Sequence, residues 1–106
     1  MDRRRLSSMQ CMSAGILFTP APDLKAPTDV EYSEIEGPNE DRIRGFLAAG
    51  KNVEGSMRYG CWSVWKVEGG WSGELAQYRS VTESFENVDT DTAVATAYEW
   101  ACECFG

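Results

Sequence analysis

The sequence predicts an α+β fold: a small antiparallel sheet of three to four strands, with a C-terminal helix packed on one face and a second short helix near residues 39–49. Two observations support this. Residues 59–88 are rich in aromatic and β-branched side chains and alternate with a period of two, whereas residues 90–105 follow a helical period. At 106 residues the chain has room for one domain. We expect three segments: an N-terminal extension or short strand at 1–18, a Pro-rich acidic connector at 19–38, and a compact α+β core at 39–106.

The two N-terminal segments offer few core positions. Three arginines precede mildly apolar residues, an arrangement superficially like a secretory signal, but serines and a glutamine interrupt the apolar stretch. We therefore predict a cytoplasmic protein, with export as the less favoured alternative. All four prolines lie in 19–38, which favours an extended connector. Within it, residues 30–35 alternate apolar and polar side chains, which indicates a short edge strand.

A first helix is predicted from Asn39 to Ala49. Asn39 is a good N-cap residue, and the acidic side chains that follow it favour the positive end of a helix dipole. Gly50 is typical of the position just after a helix. An apolar stripe occupies positions i, i+3 and i+4: Ile43, Phe46 and Leu47. These features predict an ordinary packing helix.

The predicted strands begin at Tyr59, after a polar stretch at 51–57 that we expect to be a loop. Trp62 and Trp65 are three residues apart, so they point to opposite faces of a regular strand. Glu68-Gly69-Gly70 indicates a tight hairpin turn. The next strand is expected to open at Trp71 and run towards Val81, with residues 85–88 continuing it after a bend or forming a third strand.

The C-terminal helix is predicted to begin at a Thr90 or Asp91 cap, with Asp89 and Asp91 favouring its N-terminal end. Its apolar stripe contains six residues: Val94, Ala97, Tyr98, Ala101, Cys104 and Phe105. Trp100 lies off this stripe. It is therefore expected to pack at the rim or to face a partner.

Charge limits the classes of partner. The formal net charge is −7, with ten basic residues against seventeen acidic ones. Such a surface repels phosphate backbones and attracts basic proteins, so direct nucleic-acid binding is disfavoured. No apolar run reaches the roughly 18 residues that a membrane-spanning helix needs, so we expect no membrane partner.

Residues that usually carry chemistry are missing or have another explanation. The chain contains no histidine, which removes the commonest general base and metal ligand, and it has no recognisable catalytic motif, so we predict a protein that is not an enzyme. The cysteine spacing matches no zinc pattern. Asp89-x-Asp91 is explained by helix capping, and we predict no metal and no cofactor. The cysteines are expected to be reduced, with a Cys61–Cys104 or Cys11–Cys61 disulfide as the alternative.

The aromatic residues point to a binding function. An antiparallel sheet with a helix on one face leaves its other face open, so some of these rings are expected at a surface ringed by charge. The predicted partner-binding residues are Trp62, Trp65, Trp71, Tyr78, Glu68, Glu74 and Trp100. We predict a small acidic protein-interaction module that binds a basic partner. In size and charge it is similar to many phage- or mobile-element-encoded accessory proteins, some of which are inhibitors.

Two alternatives from other classes remain open. Trp62, Trp65, Trp71 and Tyr78 could line an apolar pocket of a ligand-binding domain or minimal enzyme. Alternatively, the open sheet face could be buried in a homodimer of a self-associating structural subunit. The first alternative requires a closed cavity between these side chains, and the second requires self-association.

Overall fold

The computed structural model describes residues 24–57, 60–78 and 80–105. They form an α+β fold with a five-stranded mixed sheet, a helix between the first two strands and a C-terminal helix. The elements follow the chain in the order β1 (Ser33–Glu34), α1 (Glu40–Ala48), β2 (Val53–Met57), β3 (Gly60–Val67), β4 (Gly70–Gln77), β5 (Ser80–Val88) and α2 (Thr90–Phe105). The 1–18 extension and the beginning of the 19–38 connector lie outside the described residues.

The sheet differs from the prediction in strand number and direction. Its five strands follow sequence order, and β1 pairs with β2 in parallel, whereas three to four antiparallel strands were predicted. A parallel pair needs a crossover connection, and α1 provides it here. The predicted edge strand at 30–35 is present only as the two residues of β1.

Strand β2 occupies the stretch that was predicted to be a loop. Polar residues such as Glu54 made this stretch resemble a loop in the sequence. In the structure Glu54 is buried, with 1% exposure, although it carries a carboxylate. Val53 packs in the core on the helix side of the sheet, while Glu54 points to the opposite side. The strand therefore alternates as strands do, but it is buried on both sides.

The predicted second strand is divided by a turn. Strand β4 ends at Gln77, and β5 returns from Ser80 as a separate antiparallel partner. The preceding hairpin agrees with the prediction, since Glu68 and Gly69 join β3 to β4 and Gly69 has a φ of +91°. Tyr78 lies in the β4–β5 turn rather than inside a strand.

Both helices begin at side-chain caps. The Arg42 backbone N–H donates to the Asn39 side-chain oxygen at 3.1 Å, as predicted. At α2 the cap is Asp89, one residue before the predicted position, whose carboxylate accepts the Thr92 N–H at 2.8 Å. Gly50 follows α1 with a φ of +78°.

No described helix combines the length and the apolar character that are needed to cross a membrane.

The main core lies between the sheet and the two helices. The α2 face that enters it differs from the predicted stripe, because Trp100 is buried there whereas Tyr98 is 36% exposed. The α2 residues in this core are Ala93, Val94, Ala97, Trp100 and Ala101. The side chains of Cys104 and Phe105 are outside the described set. The small alanines on this face favour the helix and let it pack close to the sheet.

Candidate functional site

Three of the four tryptophans belong to the core rather than to a surface. Trp62, Trp71 and Trp100 are 2%, 1% and 1% exposed, so these three predicted partner-binding residues do not reach the surface in the described conformation. The Trp71 indole N–H donates to the Thr90 hydroxyl at 3.1 Å, and the Trp100 N–H donates to the Glu83 carboxylate at 2.8 Å. These hydrogen bonds satisfy the polar end of each buried ring.

The four aromatic residues of the pocket alternative are not brought together. Trp62 and Trp71 lie on the helix face, whereas Trp65 lies on the opposite sheet face, which we call the outer face. Tyr78 lies at the turn after β4. The structure therefore contains no common cavity between these four side chains.

Tyr78 and Trp65 are the predicted aromatic residues that reach the surface. Tyr78 is 70% exposed, and its backbone adopts a φ of +51°. A positive φ is unusual for a bulky residue, because the Cβ crowds the following carbonyl. Trp65 is half-buried. Glu68 is exposed in the β3–β4 turn, which the length of β4 separates from Tyr78 by about 25 Å.

Glu74 is a buried anchor on the outer face. It is 3% exposed, and its carboxylate accepts backbone N–H groups from Lys25, at 3.0 and 3.1 Å, and from Ala26, at 2.9 Å. These charge-assisted hydrogen bonds hold the backbone of the 24–26 segment against the outer face of the sheet. Strand register places Glu54, Ser63, Glu74 and Ser84 in one polar row across four strands.

A groove of about 190 Å³ lies on the outer face beside β5. It brings together two of the predicted residues, Trp65 and Glu74, with β5 side chains that the prediction did not include. Its lining consists of Lys25, Trp65, Gly73, Glu74, Val81, Ser84, Phe85 and Glu86. The groove offers an aromatic wall, an exposed carboxylate on Glu86 and one lysine.

Beside this groove, β5 forms an edge of the sheet. It pairs with β4 on one side, and among the described strands none pairs with its other side. Two register shifts interrupt its pairing with β4, one between Trp71 and Gly73 and one between Leu75 and Ala76. Asn87, close to the first shift, has a φ of +54°, which asparagine tolerates. We refer to β5, Tyr78 and the groove together as the edge surface.

A second depression lies on the helical side of the molecule, between the start of α1 and Tyr98. Its lining is acidic and includes Glu36, Glu40 and Asp41. A hydrogen bond with the Cys102 side chain raises the pKa of Tyr98, and electrostatic interaction with Cys102, burial and the nearby Glu40 carboxylate add to the same shift. The depression is wide and open, and its side chains are solvated.

The described residues include few side chains that could bind a metal ion or take part in redox chemistry. The described residues contain no group of three or more His, Cys, Asp or Glu side chains placed to hold a metal ion. Cys61 is a buried free thiol and Cys102 is a half-buried one. A Cys61 disulfide, the alternative considered from the sequence, is therefore not formed.

Most of the groove residues that the sequence-based prediction missed belong to β5, and the others are Lys25 and Gly73. Ser84 and Glu86 line the groove, but the prediction left open whether this stretch continues the preceding strand after a bend or forms a third strand. The Tyr78-Arg79 pair carries no glycine or asparagine, so the usual turn signal was missing. Comparison of the chain with protein-family models, curated proteins and solved structures found no match. The function of this surface is therefore argued from its side chains and their geometry.

Proposed function

We propose that the protein is a non-enzymatic interaction module, which binds a basic partner protein through the edge surface. The observation that carries this proposal is an open sheet edge beside a groove that holds the half-buried Trp65, with the 70% exposed Tyr78 at the far end of the β4–β5 hairpin. Exposed aromatic side chains beside polar rims are typical of interaction hot spots.

The charge of the molecule supports a basic partner. Net charge is −7, and Glu86 carries an exposed carboxylate at the groove. Complementary charge speeds association and excludes acidic competitors such as nucleic acids. A chain of this size would act by occupying its partner's surface, as accessory and inhibitor proteins of phages and mobile elements do. The free thiols suit a reducing compartment, so the proposal includes a cytoplasmic location.

Comparative capture from a cell lysate tests this proposal. The immobilised protein is compared with Glu86→Lys, which reverses charge at the groove, and with Glu99→Lys, which makes the same change on an exposed position of α2. We expect basic proteins to bind the wild type and Glu99→Lys, and to be lost from Glu86→Lys. Raising salt to about 0.5 M should release them, because screening shortens the reach of exposed charges.

Two results would contradict the proposal. One is a set of captured proteins that are acidic on average, and the other is binding that neither salt nor Glu86→Lys weakens. Circular dichroism of each variant shows whether it is folded before its binding is compared.

A further inference from the structure

We infer that the partner binds as a short, extended basic segment that adds a sixth strand to the sheet along β5. This inference rests on the proposed function and names the form of its ligand. Strand addition supplies affinity through main-chain hydrogen bonds and selectivity through alternate side chains.

The backbone of β5 provides the first reason. In an antiparallel pair, every second residue directs its N–H and C=O towards the neighbouring strand, and the residues between direct theirs away. From Thr82 to Val88 the away-facing groups of β5 meet no other strand among the described residues. Exposed groups of this kind are a template for another strand.

The two register shifts limit the length of the added strand. Between them, β5 pairs regularly with β4 at Glu83, Ser84 and Phe85. Bulges bend an edge and discourage indiscriminate pairing. A segment of about five residues, centred opposite Ser84, therefore fits better than a long strand.

The acidic side chains of β5 provide the second reason. Glu83 lies on the helix face, opposite Leu75, whereas Glu86 lines the groove on the outer face. Successive side chains of an added strand point to alternate faces, so each face offers a carboxylate to a basic residue. On the outer face an arginine could place its guanidinium against the Trp65 ring and beside Glu86.

The same charges disfavour a second copy of this chain as the added strand. Self-pairing would bring two molecules of net charge −7 together and set Glu83 and Glu86 of one copy along those of the other. Like charges placed across neighbouring strands are destabilising. A basic segment removes this repulsion.

A pair of matched peptides tests the inference. The probe is the peptide Val-Arg-Lys-Val-Arg, which has a basic side chain on each face of an extended strand. Its control carries N-methyl groups on two adjacent central amides, which block hydrogen bonding on both edges of the peptide without changing its charge. Affinity is measured at about 50 mM salt, where screening is weak. Amide hydrogen exchange of the protein is followed by NMR with and without the probe.

The inference predicts that the methylated peptide binds about tenfold more weakly or worse, which corresponds to a loss of about 1.4 kcal/mol of binding free energy. It also predicts protection of alternate amides between Thr82 and Val88, and weaker probe binding by Glu86→Lys than by Glu99→Lys. Equal binding of both peptides would overturn strand addition while leaving an electrostatic interaction module in place. Failure of both peptides to bind would also overturn strand addition by a basic segment, whereas the lysate capture decides the proposed function separately. Protection of β5 without a peptide, together with dimer formation, would identify a second copy as the occupant.

Discussion

Tyr78 combines the greatest exposure among the large hydrophobic side chains described with a backbone conformation that a tyrosine rarely adopts. Its φ is +51°, and its ring is 70% exposed at the end of the β4–β5 hairpin. The left-handed region costs an ordinary L-residue about 1–2 kcal/mol, whereas glycine and asparagine enter it more easily. A strained residue that persists at an exposed position suggests a role other than stability.

Replacing Tyr78 with asparagine should therefore stabilise the fold. We expect Tyr78→Asn to raise the free energy of unfolding by about 0.5–1 kcal/mol, measured from urea denaturation. Gln77→Asn makes a similar change at a strand position and should give no gain. If Tyr78→Asn were destabilising, the ring would contribute more to the fold than its backbone strain costs.

At the scale of elements, glycine has opposite effects in β2 and α1. Gly55 lies opposite Trp62 in the neighbouring strand, and a Cβ on Gly55 would overlap the Trp62 indole. Gly45 lies in α1, where an added methyl group would meet no atom of its surroundings within 4 Å. The indole of Trp62 therefore depends on a missing side chain in β2 for its place in the core.

The same substitution at these two glycines should change stability in opposite directions. We expect Gly55→Ala to lower the free energy of unfolding by about 1–3 kcal/mol, because a closely packed core must shift to accept the methyl group. Gly45→Ala should raise it by up to about 1 kcal/mol, because alanine is the better helix former. Thermal unfolding of both variants checks this; equal effects would contradict the packing of Trp62 over β2.

The first turn of α2 should respond to acid. Hydrogen bonds from the Thr92 side chain and backbone N–H hold the pKa of Asp89 below its ordinary value of 3.8. A lowered pKa in the folded state means that this carboxylate stabilises the protein fully above about pH 4, and that the contribution is lost as pH falls through the folded-state pKa. NMR titration of the Asp89 side chain should give a midpoint below 3.8.

Asp89→Asn is the matched control for this titration, because asparagine keeps the N-cap hydrogen bond but has no charge to lose. Amide exchange in the first turn of α2 should then become less dependent on pH between about 5 and 2. An Asp89 midpoint at or above 3.8 would contradict the capping geometry.

The whole molecule has an excess of negative charge, with seventeen acidic residues against ten basic ones. Some of the acidic residues have a basic neighbour: Arg44 of α1 pairs with Asp91 of α2 at 2.9 Å and with Glu40 of α1 at 3.8 Å. The pair with Asp91 connects the two helices. These pairs are exposed, so their contribution to stability is small. Self-repulsion over the rest of the surface destabilises the compact state.

Salt should therefore affect folding and binding in opposite directions. We expect the urea midpoint of unfolding to rise between about 0.05 and 0.5 M NaCl, because screening weakens the repulsion among carboxylates. Binding of the basic probe peptide should weaken over the same range. An unfolding midpoint that falls with salt would show that attractive ion pairs outweigh the repulsion.

Local pattern was sufficient to predict several elements. The helix after Asn39, the hairpin at Gly69, the C-terminal helix and the opposite orientation of Trp62 and Trp65 all depend on residues within a few positions of one another. Strand β2 could not be predicted in this way, because its Glu54 is polar in the sequence but only 1% exposed in the fold.

The candidate site was predicted only in part for the same reason. Trp65, Tyr78 and Glu74 belong to the edge surface or its groove, but Trp62, Trp71 and Trp100 are enclosed. A tryptophan has the same local pattern whether a helix covers it or solvent does.

By itself, the sequence determined the α+β class, the Asn39 cap of α1, the alternation of β3 and the acidic charge, because periodicity, capping and charge are properties of neighbouring residues or of composition. The tertiary structure alone decided which sheet face the helices cover, that Glu74 would bind the 24–26 backbone, and that β5 would form an open edge. Those outcomes depend on contacts between residues far apart in the chain, where burial is decided by what packs above each side chain.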